Sequence, residues 1–188
     1  PGTPLSELVS AGLNTVALRV PAHPIAAALL READLPIAAP SANPSGRISS
    51  TTAAHVAAGL GQDVDLILDG GATPLGLEST VIGFDGDRPV LLRPGAIART
   101  AIEAVAGPLA GAGAAIRSPG QLESHYAPRA ALRLNARDKQ SDEVLLGFGP
   151  SPGAKLNLSP ARDLKEAASN LFAMLHELDQ QASRIAVA

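Results

Sequence analysis

The sequence lacks cysteine and has very few aromatic residues. Its 188 residues include one Tyr, three Phe and no Trp, so aromatic side chains make up 2% of the chain. Without cysteine the chain can form neither a disulfide nor a thiolate metal site, which fits a reducing compartment and predicts a cytoplasmic location. The core therefore has to be filled mainly by Ala, Leu, Val and Ile.

Long apolar runs and an excess of basic charge are also missing. No run approaches the roughly 20 apolar residues of a membrane-spanning helix, and no signal peptide is readable, so we expect no membrane association. The formal net charge of -3 argues against a broad nucleic-acid-binding face. With 46% hydrophobic residues, the length fits one domain and a smaller second one.

Strands and helices are expected to alternate along the first half of the chain. The patterns predict strands at 15–20, 35–39, 64–68, 80–84 and 89–93. Helices are predicted at 24–32, from Thr51 or Thr52 to residue 60, and at 98–105. The Asp-Gly pair at 85–86 predicts a hairpin between the last two strands. This order is typical of a mixed α/β sheet.

The second half of the chain predicts a linker and a small α/β domain. Glycine and proline interrupt residues 107–128, and beyond them strands are predicted at 131–134, 144–148, 156–158 and around Ile185. A helix is predicted at 163–182, with one buried stripe formed by Leu164, Ala168, Leu171, Leu175 and Leu178. The predicted bounds are 1–106 for the first domain, 107–129 for the linker and 130–188 for the small domain.

Residues 40–46, with the sequence PSANPSG, follow directly after the apolar run 35–39. This segment offers backbone N–H groups, two hydroxyls and one amide with little bulk, which is how a site for phosphate or carboxylate can be built. The alternative is an ordinary Ser/Asn/Pro turn between a strand and a helix.

Two later clusters have the same character. Glu78, Ser79 and Thr80 follow a glycine-rich approach and precede an apolar run, and Arg93 ends a predicted strand before a Pro-Gly turn. Three such clusters at strand ends predict a shared anionic ligand in a crevice beyond those ends.

Five motifs carry a resemblance to a known family. They are TVALRVP at 15–21, PSANPSG at 40–46, ESTV at 78–81, LRPG at 92–95 and SHYAP at 124–128. In this order they resemble the YrdC-like family of L-threonylcarbamoyladenylate synthases in its longer, two-domain form. The resemblance implies a YrdC-like twisted mixed sheet with helices, followed by a small Rossmann-like α/β domain. The family's basic Lys-x-Arg motif has no counterpart here, so we expect an internal segment that lacks an N-terminal part and the extreme C-terminus, with activity belonging to the longer protein.

The resemblance also implies a nucleotidyltransferase reaction. L-threonine, bicarbonate or carbon dioxide, and ATP would give L-threonylcarbamoyladenylate and pyrophosphate, with Mg²⁺ arriving on ATP. The product would pass to the downstream tRNA threonylcarbamoyltransferase machinery, which modifies the adenosine next to the anticodon. Two alternatives remain open: a non-catalytic nucleotide- or RNA-binding module on the same fold, and a carbamoyltransferase, whose zinc-finger cysteines are absent here.

Site residues follow from the same resemblance, position by position. Arg19, the backbone of Ala39, and Ser79 resemble the threonine-contacting set. Six further residues resemble the nucleotide-contacting set: Thr15, Ser41, Asn43, Ser49, Arg93 and Tyr126. No catalytic nucleophile and no protein metal ligand are implied.

Structural roles are the alternatives for several of these residues. Arg19 could be an edge residue paired with a carboxylate, Thr15 and Ser49 could be turn or capping hydroxyls, and Tyr126 could anchor the linker. We also expect residues 118–128 to lie across the mouth of the crevice, so that Tyr126 meets the nucleotide.

The four histidines show no metal-ligand spacing. Of these, His55 and His176 lie on predicted helices and are expected at the surface.

Overall fold

A computed structural model of the chain describes residues 7–10, 15–111 and 126–188. It contains four α-helices and seven strands in these ranges, which confirms the mixed α/β class. The chain divides into two compact units, Pro1–Ser41 and Ala42–Ala188. The predicted bounds at 106 and 129 stay a prediction, and most of the predicted linker, residues 112–125, lies outside the described residues.

The first unit contains a short 3₁₀ turn, Glu7–Ser10, and helix α1, Pro24–Ala33. Proline occupies the first turn of α1, where its missing N–H costs no hydrogen bond. The helix ends at Asp34, which has a left-handed backbone with φ of 49°. The predicted helix at 24–32 is therefore confirmed, with one further residue.

The strands predicted at 15–20 and 35–39 are wrong. Neither run forms a strand in the described part of the first unit. Leu18 is 84% exposed and Val20 is 96% exposed. An extended run becomes a strand only when a neighbour pairs with its N–H and C=O groups, and the described residues of this unit supply no such ladder.

The second unit begins with a loop that leads into helix α2, Ala53–Leu60, followed by a 3₁₀ turn, Gly61–Asp63. The Thr52 side chain caps α2 by accepting a hydrogen bond from the His55 N–H, as the sequence predicted for Thr51 or Thr52. The strand predicted at 64–68 is wrong for the same reason as the two in the first unit. No ladder forms there, and Leu66 is 76% exposed.

A three-stranded sheet follows, with the order β1-β2-β3. Strands β1, Val81–Asp85, and β2, Arg88–Arg93, form the predicted antiparallel hairpin, and Gly86 supplies the positive φ of 58° that its turn requires. Helix α3, Arg99–Ala106, then leads to β3, Ala110–Gly111, which pairs in parallel with β2. Strand β3 was not predicted, because two residues inside a glycine-rich stretch carry no strand signal.

The last part of the chain forms a second sheet with the order β4-β7-β5-β6. All of its pairings are parallel, as a Rossmann-like layout requires. The strands are β4, Ala131–Arg133; β5, Val144–Gly147; β6, Leu156–Asn157; and β7, Arg184–Val187. Helix α4, Leu164–Gln181, makes the crossover from β6 to β7 and is capped by the Asp163 carboxylate. All these elements were predicted to within two residues.

The core of the second unit lies between this parallel sheet and α4. Leu146, Leu178 and Ile185 are fully buried. The stripe predicted on α4 is partly wrong: Leu175 and Leu178 are buried, whereas Leu164 is 75% exposed at the first turn. Ala167 and Phe172 complete the buried face instead, because Leu164 lies beyond the edge of the packed region.

None of the described helices combines the length and the apolar character that crossing a bilayer demands.

Candidate functional site

The loop that precedes α2 is held in shape by Asn43. Its amide Nδ2 donates to the Pro44 carbonyl at 2.9 Å and to the Arg47 carbonyl at 3.1 Å. Asn43 is buried, and its Oδ1 has no hydrogen-bond partner among the described residues. The loop-forming role of Asn43 is therefore visible in the structure, and a contact with nucleotide stays a prediction.

The end of the predicted linker is attached to this same loop. The Ala127 N–H donates to the Gly46 carbonyl at 3.0 Å, and Arg47 and Ala127 form an isolated parallel bridge. Gly46 has φ of 77°, which suits glycine and turns the loop toward this bridge. Next to it, Ile48 is buried in the core beside α4.

Ser49 and Glu78 are in direct contact within the second unit. The Ser49 hydroxyl donates to Glu78 Oε1 at 2.5 Å, and Glu78 Oε2 lies 3.5 Å from Arg93 Nη2. Both partners of the carboxylate are well covered, since Ser49 is buried and the Arg93 side chain is 13% exposed. Glu78 thus joins two residues that were predicted to contact nucleotide.

Within the described parts of the chain, three further hydrogen bonds hold Arg93. Its Nε donates to the Ser79 carbonyl, its Nη2 to the Ser79 hydroxyl and its Nη1 to the Tyr126 hydroxyl, each at 3.0 Å. The planar guanidinium suits this arrangement because its donors point in fixed directions. The site therefore brings Ser79, Arg93 and Tyr126 together. The sequence predicted that the strand ends carrying Ser79 and Arg93 would meet.

The turn after Arg93 passes very close to the Glu78–Thr80 backbone. A Cβ built on Gly95 would lie 2.3 Å from the Thr80 nitrogen and 2.5 Å from the Glu78 carbonyl oxygen. Only glycine fits such an approach, which explains the Pro-Gly pair at this strand end.

A cavity of about 260 Å³ opens beside this network. Its lining combines an ion pair with apolar and aromatic surface. The lining residues are Leu77, Glu78, Arg93, Pro94, Gly95, Tyr126 and Phe172. A pocket with apolar walls and a few convergent polar groups is the usual form of a small-molecule site.

One face of α4 packs against three segments of the site. Ser169 Oγ donates to the Pro74 carbonyl at 3.1 Å, and the Phe172 ring lies 5.9 Å from the Tyr126 ring. His176 Nε2 lies 3.1 Å from the Ser49 carbonyl oxygen, and because that oxygen can only accept, the ring nitrogen donates. The parallel-sheet part of the chain thus supports the candidate site directly.

His55 and His176 stack on each other, with ring centroids 4.0 Å apart and an interplanar angle of 25°. His55 Nδ1 accepts a hydrogen bond from the Thr51 N–H at 3.3 Å, so this nitrogen carries no proton. Burial and the adjacent His176 lower the pKa of His55 below its usual value of 6.5. Both histidines are half-buried, which corrects the expectation that they lie at the surface.

The remaining predicted residues lie in the first unit. Thr15, Arg19, Ala39 and Ser41 are all exposed there. Their contacts with threonine or nucleotide stay predictions. His125 lies outside the described residues.

Sequence reasoning missed three residues of the site. Glu78 belongs to the ESTV motif at 78–81, and a carboxylate beside two hydroxyl residues is a signal for a polar network. Phe172 and His176 carry no such signal, because their neighbours in the sequence form an ordinary amphipathic helix. Among the described residues, no group of three or more His, Asp or Glu side chains could hold a metal ion.

Two protein families match the chain along almost its whole length. The family described as "Telomere recombination", with the name Sua5_yciO_yrdC, matches residues 2–95, and the C-terminal domain of threonylcarbamoyl-AMP synthase matches residues 97–188.

Two curated relatives carry the name threonylcarbamoyl-AMP synthase. The Bacillus subtilis protein is 52% identical over 136 residues, which are 69% of this chain and 39% of the relative. The Pyrococcus abyssi protein is 38% identical over 197 residues, which are 93% of this chain and 58% of the relative. The chain thus spans about two fifths to three fifths of the length of these relatives.

A solved structure shows the same fold. The crystal structure of P. abyssi Sua5 complexed with L-threonine superposes with a TM-score of 0.87 at 33% sequence identity. The similarity covers 97% of this chain and 61% of that chain. The predicted YrdC-like fold with a small C-terminal α/β domain is thereby confirmed.

Proposed function

The chain belongs to the Sua5/YrdC family in its two-domain form, and from this premise we propose that its protein is an L-threonylcarbamoyladenylate synthase. It would combine L-threonine, bicarbonate or carbon dioxide, and ATP in the cytoplasm. The product would supply the machinery that modifies the tRNA adenosine next to the anticodon. Two findings support the substrate side: relatives named threonylcarbamoyl-AMP synthase and a neighbour crystallised with L-threonine.

The observation that carries the proposal is the convergence of Ser49, Ser79, Arg93 and Tyr126 in one unit. Arg93 connects Ser79 to Tyr126 through 3.0 Å hydrogen bonds, and Glu78 connects it to Ser49. A guanidinium and three hydroxyls close to an apolar-walled cavity suit a phosphate-bearing ligand with an apolar part.

The proposed reaction needs little covalent chemistry from the protein. Threonine and bicarbonate give N-carboxythreonine and water. A carbamate oxygen of N-carboxythreonine then attacks the α-phosphorus of ATP, a new P–O bond forms, and the bond to the β-phosphate breaks as pyrophosphate leaves. The reactants are both anionic, so the protein has to hold them in line and stabilise the charge that moves onto pyrophosphate. Among the described residues that line the cavity, Arg93 is the cation that can stabilise this charge. We propose that Mg²⁺ arrives with ATP and is held mainly by its phosphates.

The activity can be tested directly in the full-length protein. With threonine, bicarbonate and Mg-ATP we expect pyrophosphate release and formation of an adenylate. Serine should be used less well, by a moderate factor, because one methyl group is worth only about 1 to 3 kcal/mol in a pocket. Pyrophosphate release that is equal with and without amino acid would contradict the proposal, and ATP binding without release would favour a non-catalytic nucleotide-binding module.

Arg93→Ala tests the site through its affinity for ATP. A charge-assisted hydrogen bond contributes about 1.5 to 3 kcal/mol, so calorimetry should show ATP affinity reduced by about tenfold or more. Arg99→Ala is the matched control, because Arg99 pairs with Glu103 on α3 at an exposed position. Unchanged ATP affinity in Arg93→Ala would make Arg93 a structural residue.

A further inference from the structure

Both carboxylate oxygens of Glu78 have partners inside the candidate site. Oε1 accepts the Ser49 hydroxyl at 2.5 Å, and Oε2 faces Arg93 Nη2 at 3.5 Å. The same carboxylate lines the cavity, and its side chain is 25% exposed. A negative charge therefore lies where an anionic ligand has to approach.

Arg93 does not depend on Glu78 for its position. Its Nε, Nη1 and Nη2 already donate to the Ser79 carbonyl, the Tyr126 hydroxyl and the Ser79 hydroxyl. Three directed hydrogen bonds are enough to fix a planar guanidinium. The contact with Glu78 adds mainly charge neutralisation, which lowers the attraction of Arg93 for any other anion.

Ser49 is limited by the single proton of its hydroxyl. That proton is given to Glu78, so the buried Ser49 oxygen offers only lone pairs to any other group. A phosphate oxygen could accept a hydrogen bond from Ser49 only when the Glu78 carboxylate no longer accepts it.

We propose that Glu78 is an internal anion that pairs with the Ser49 and Arg93 donors until a polyphosphate binds and displaces it. This inference rests on the proposed function, since it takes the ligand to be ATP before the reaction and pyrophosphate after it. The return of the carboxylate to both donors then promotes the departure of pyrophosphate. Glu78 thereby sets how much charge a ligand must carry to be retained.

Glu78→Gln in the full-length protein tests the inference. The amide oxygen can still accept from Ser49, whereas the charge beside Arg93 is removed. Calorimetry should show pyrophosphate and ATP bound about fivefold more tightly or better, with a gain that shrinks as salt is raised. In turnover, the KM for ATP should fall while kcat does not rise.

Glu103→Gln is the matched control, because it removes one negative charge from another Glu–Arg pair, on α3. It should leave both affinities unchanged. Equal or weaker binding by Glu78→Gln, with an unaltered thermal transition, would overturn the inference while leaving the proposed function intact. Failure of the unaltered chain and the variant alike to bind ATP would overturn both.

A crystal structure of the unaltered chain with pyrophosphate gives a second measurement that does not depend on how the variant folds. We expect Arg93 and Ser49 to donate to phosphate oxygens, with the Glu78 carboxylate moved away from both. A phosphate bound at Arg93 while the Ser49–Glu78 and Glu78–Arg93 contacts persist would overturn the inference.

Discussion

Apolar runs form strands in one part of the molecule and not in another. Those near the C-terminus form the parallel sheet, whereas those at 15–20, 35–39 and 64–68 do not form strands. Strand β5 lies between β7 and β6, and Leu146 within it is fully buried. The three runs form no ladder in the described residues, and their leucines and valines are largely exposed. An apolar run thus gives the capacity to form a strand, and a bonded neighbour decides whether the strand exists.

Truncating one leucine in each region gives the largest expected difference. Leu146→Ala removes a side chain with 0% exposure, so the free energy of unfolding should fall by about 2 to 5 kcal/mol. Leu66→Ala, at 76% exposure, should change it by less than about 0.5 kcal/mol. Denaturant titration of both variants would check this. A loss at Leu66 as large as that at Leu146 would show that the 64–68 run is buried in solution and would end the contrast.

A glycine pair sharpens the comparison at the place where α4 supports the site. A Cβ on Gly76, which has φ of 62°, would lie 2.2 Å from the Ser169 carbonyl oxygen. Gly76→Ala should therefore add overpacking of about 1 to 3 kcal/mol to the backbone strain. Gly71→Ala is the control, because Gly71 has φ of 79° but nothing within 4 Å of its Cβ position. Thermal unfolding should separate the two variants, and equal losses would show that the packing against α4 contributes nothing.

Acid should affect α2 and the parallel-sheet part of the chain in different pH windows, and this effect should be smaller than those of the leucine and glycine variants. His55 has a lowered pKa, so its contribution to stability is present above pH 6.5 and is lost as the pH falls below that value. Glu143 is held mainly by Arg133 and also by the Gln140 N–H, which lower its pKa from 4.5 to about 2. Its contribution is therefore present above pH 4.5 and is lost between pH 4.5 and about 2.

Denaturant titrations across this pH range would measure both windows. His55→Gln should flatten the change just below pH 6.5 and leave the lower window intact, whereas Glu143→Gln should do the reverse. A single variant that removed both slopes would contradict the assignment.

Elements with local signals could be predicted from the sequence, and elements that depend on distant partners could not. Asp163 and Thr52 cap their helices through their own neighbours, and Gly86 sets the hairpin turn within four residues. In contrast, the runs at 15–20 and 64–68 carry strand composition but obtain no ladder. No pattern inside such a run states whether a partner exists.

The site shows the same division. Arg93 could be singled out because its position before a Pro-Gly turn is a local feature, and the structure places it on Ser79 and Tyr126. His176 could not, since its contact with Ser49 joins residues that are far apart in the chain. Contacts of that kind depend on how α4 packs, which the helical spacing of its own residues does not specify.

The contact between the Ser49 carbonyl and the His176 ring also has a consequence for the time at which the site is completed. The two residues are 127 positions apart. At a synthesis rate of about 5 to 20 residues per second, roughly 6 to 25 seconds pass between the making of Ser49 and the making of its partner. During this interval the nascent chain carries the Ser49 loop without the face of α4 that supports it. The Ser49 loop therefore gains its support from α4 only when translation of this region is nearly over, and a ribosomal pause between the two codons delays that contact.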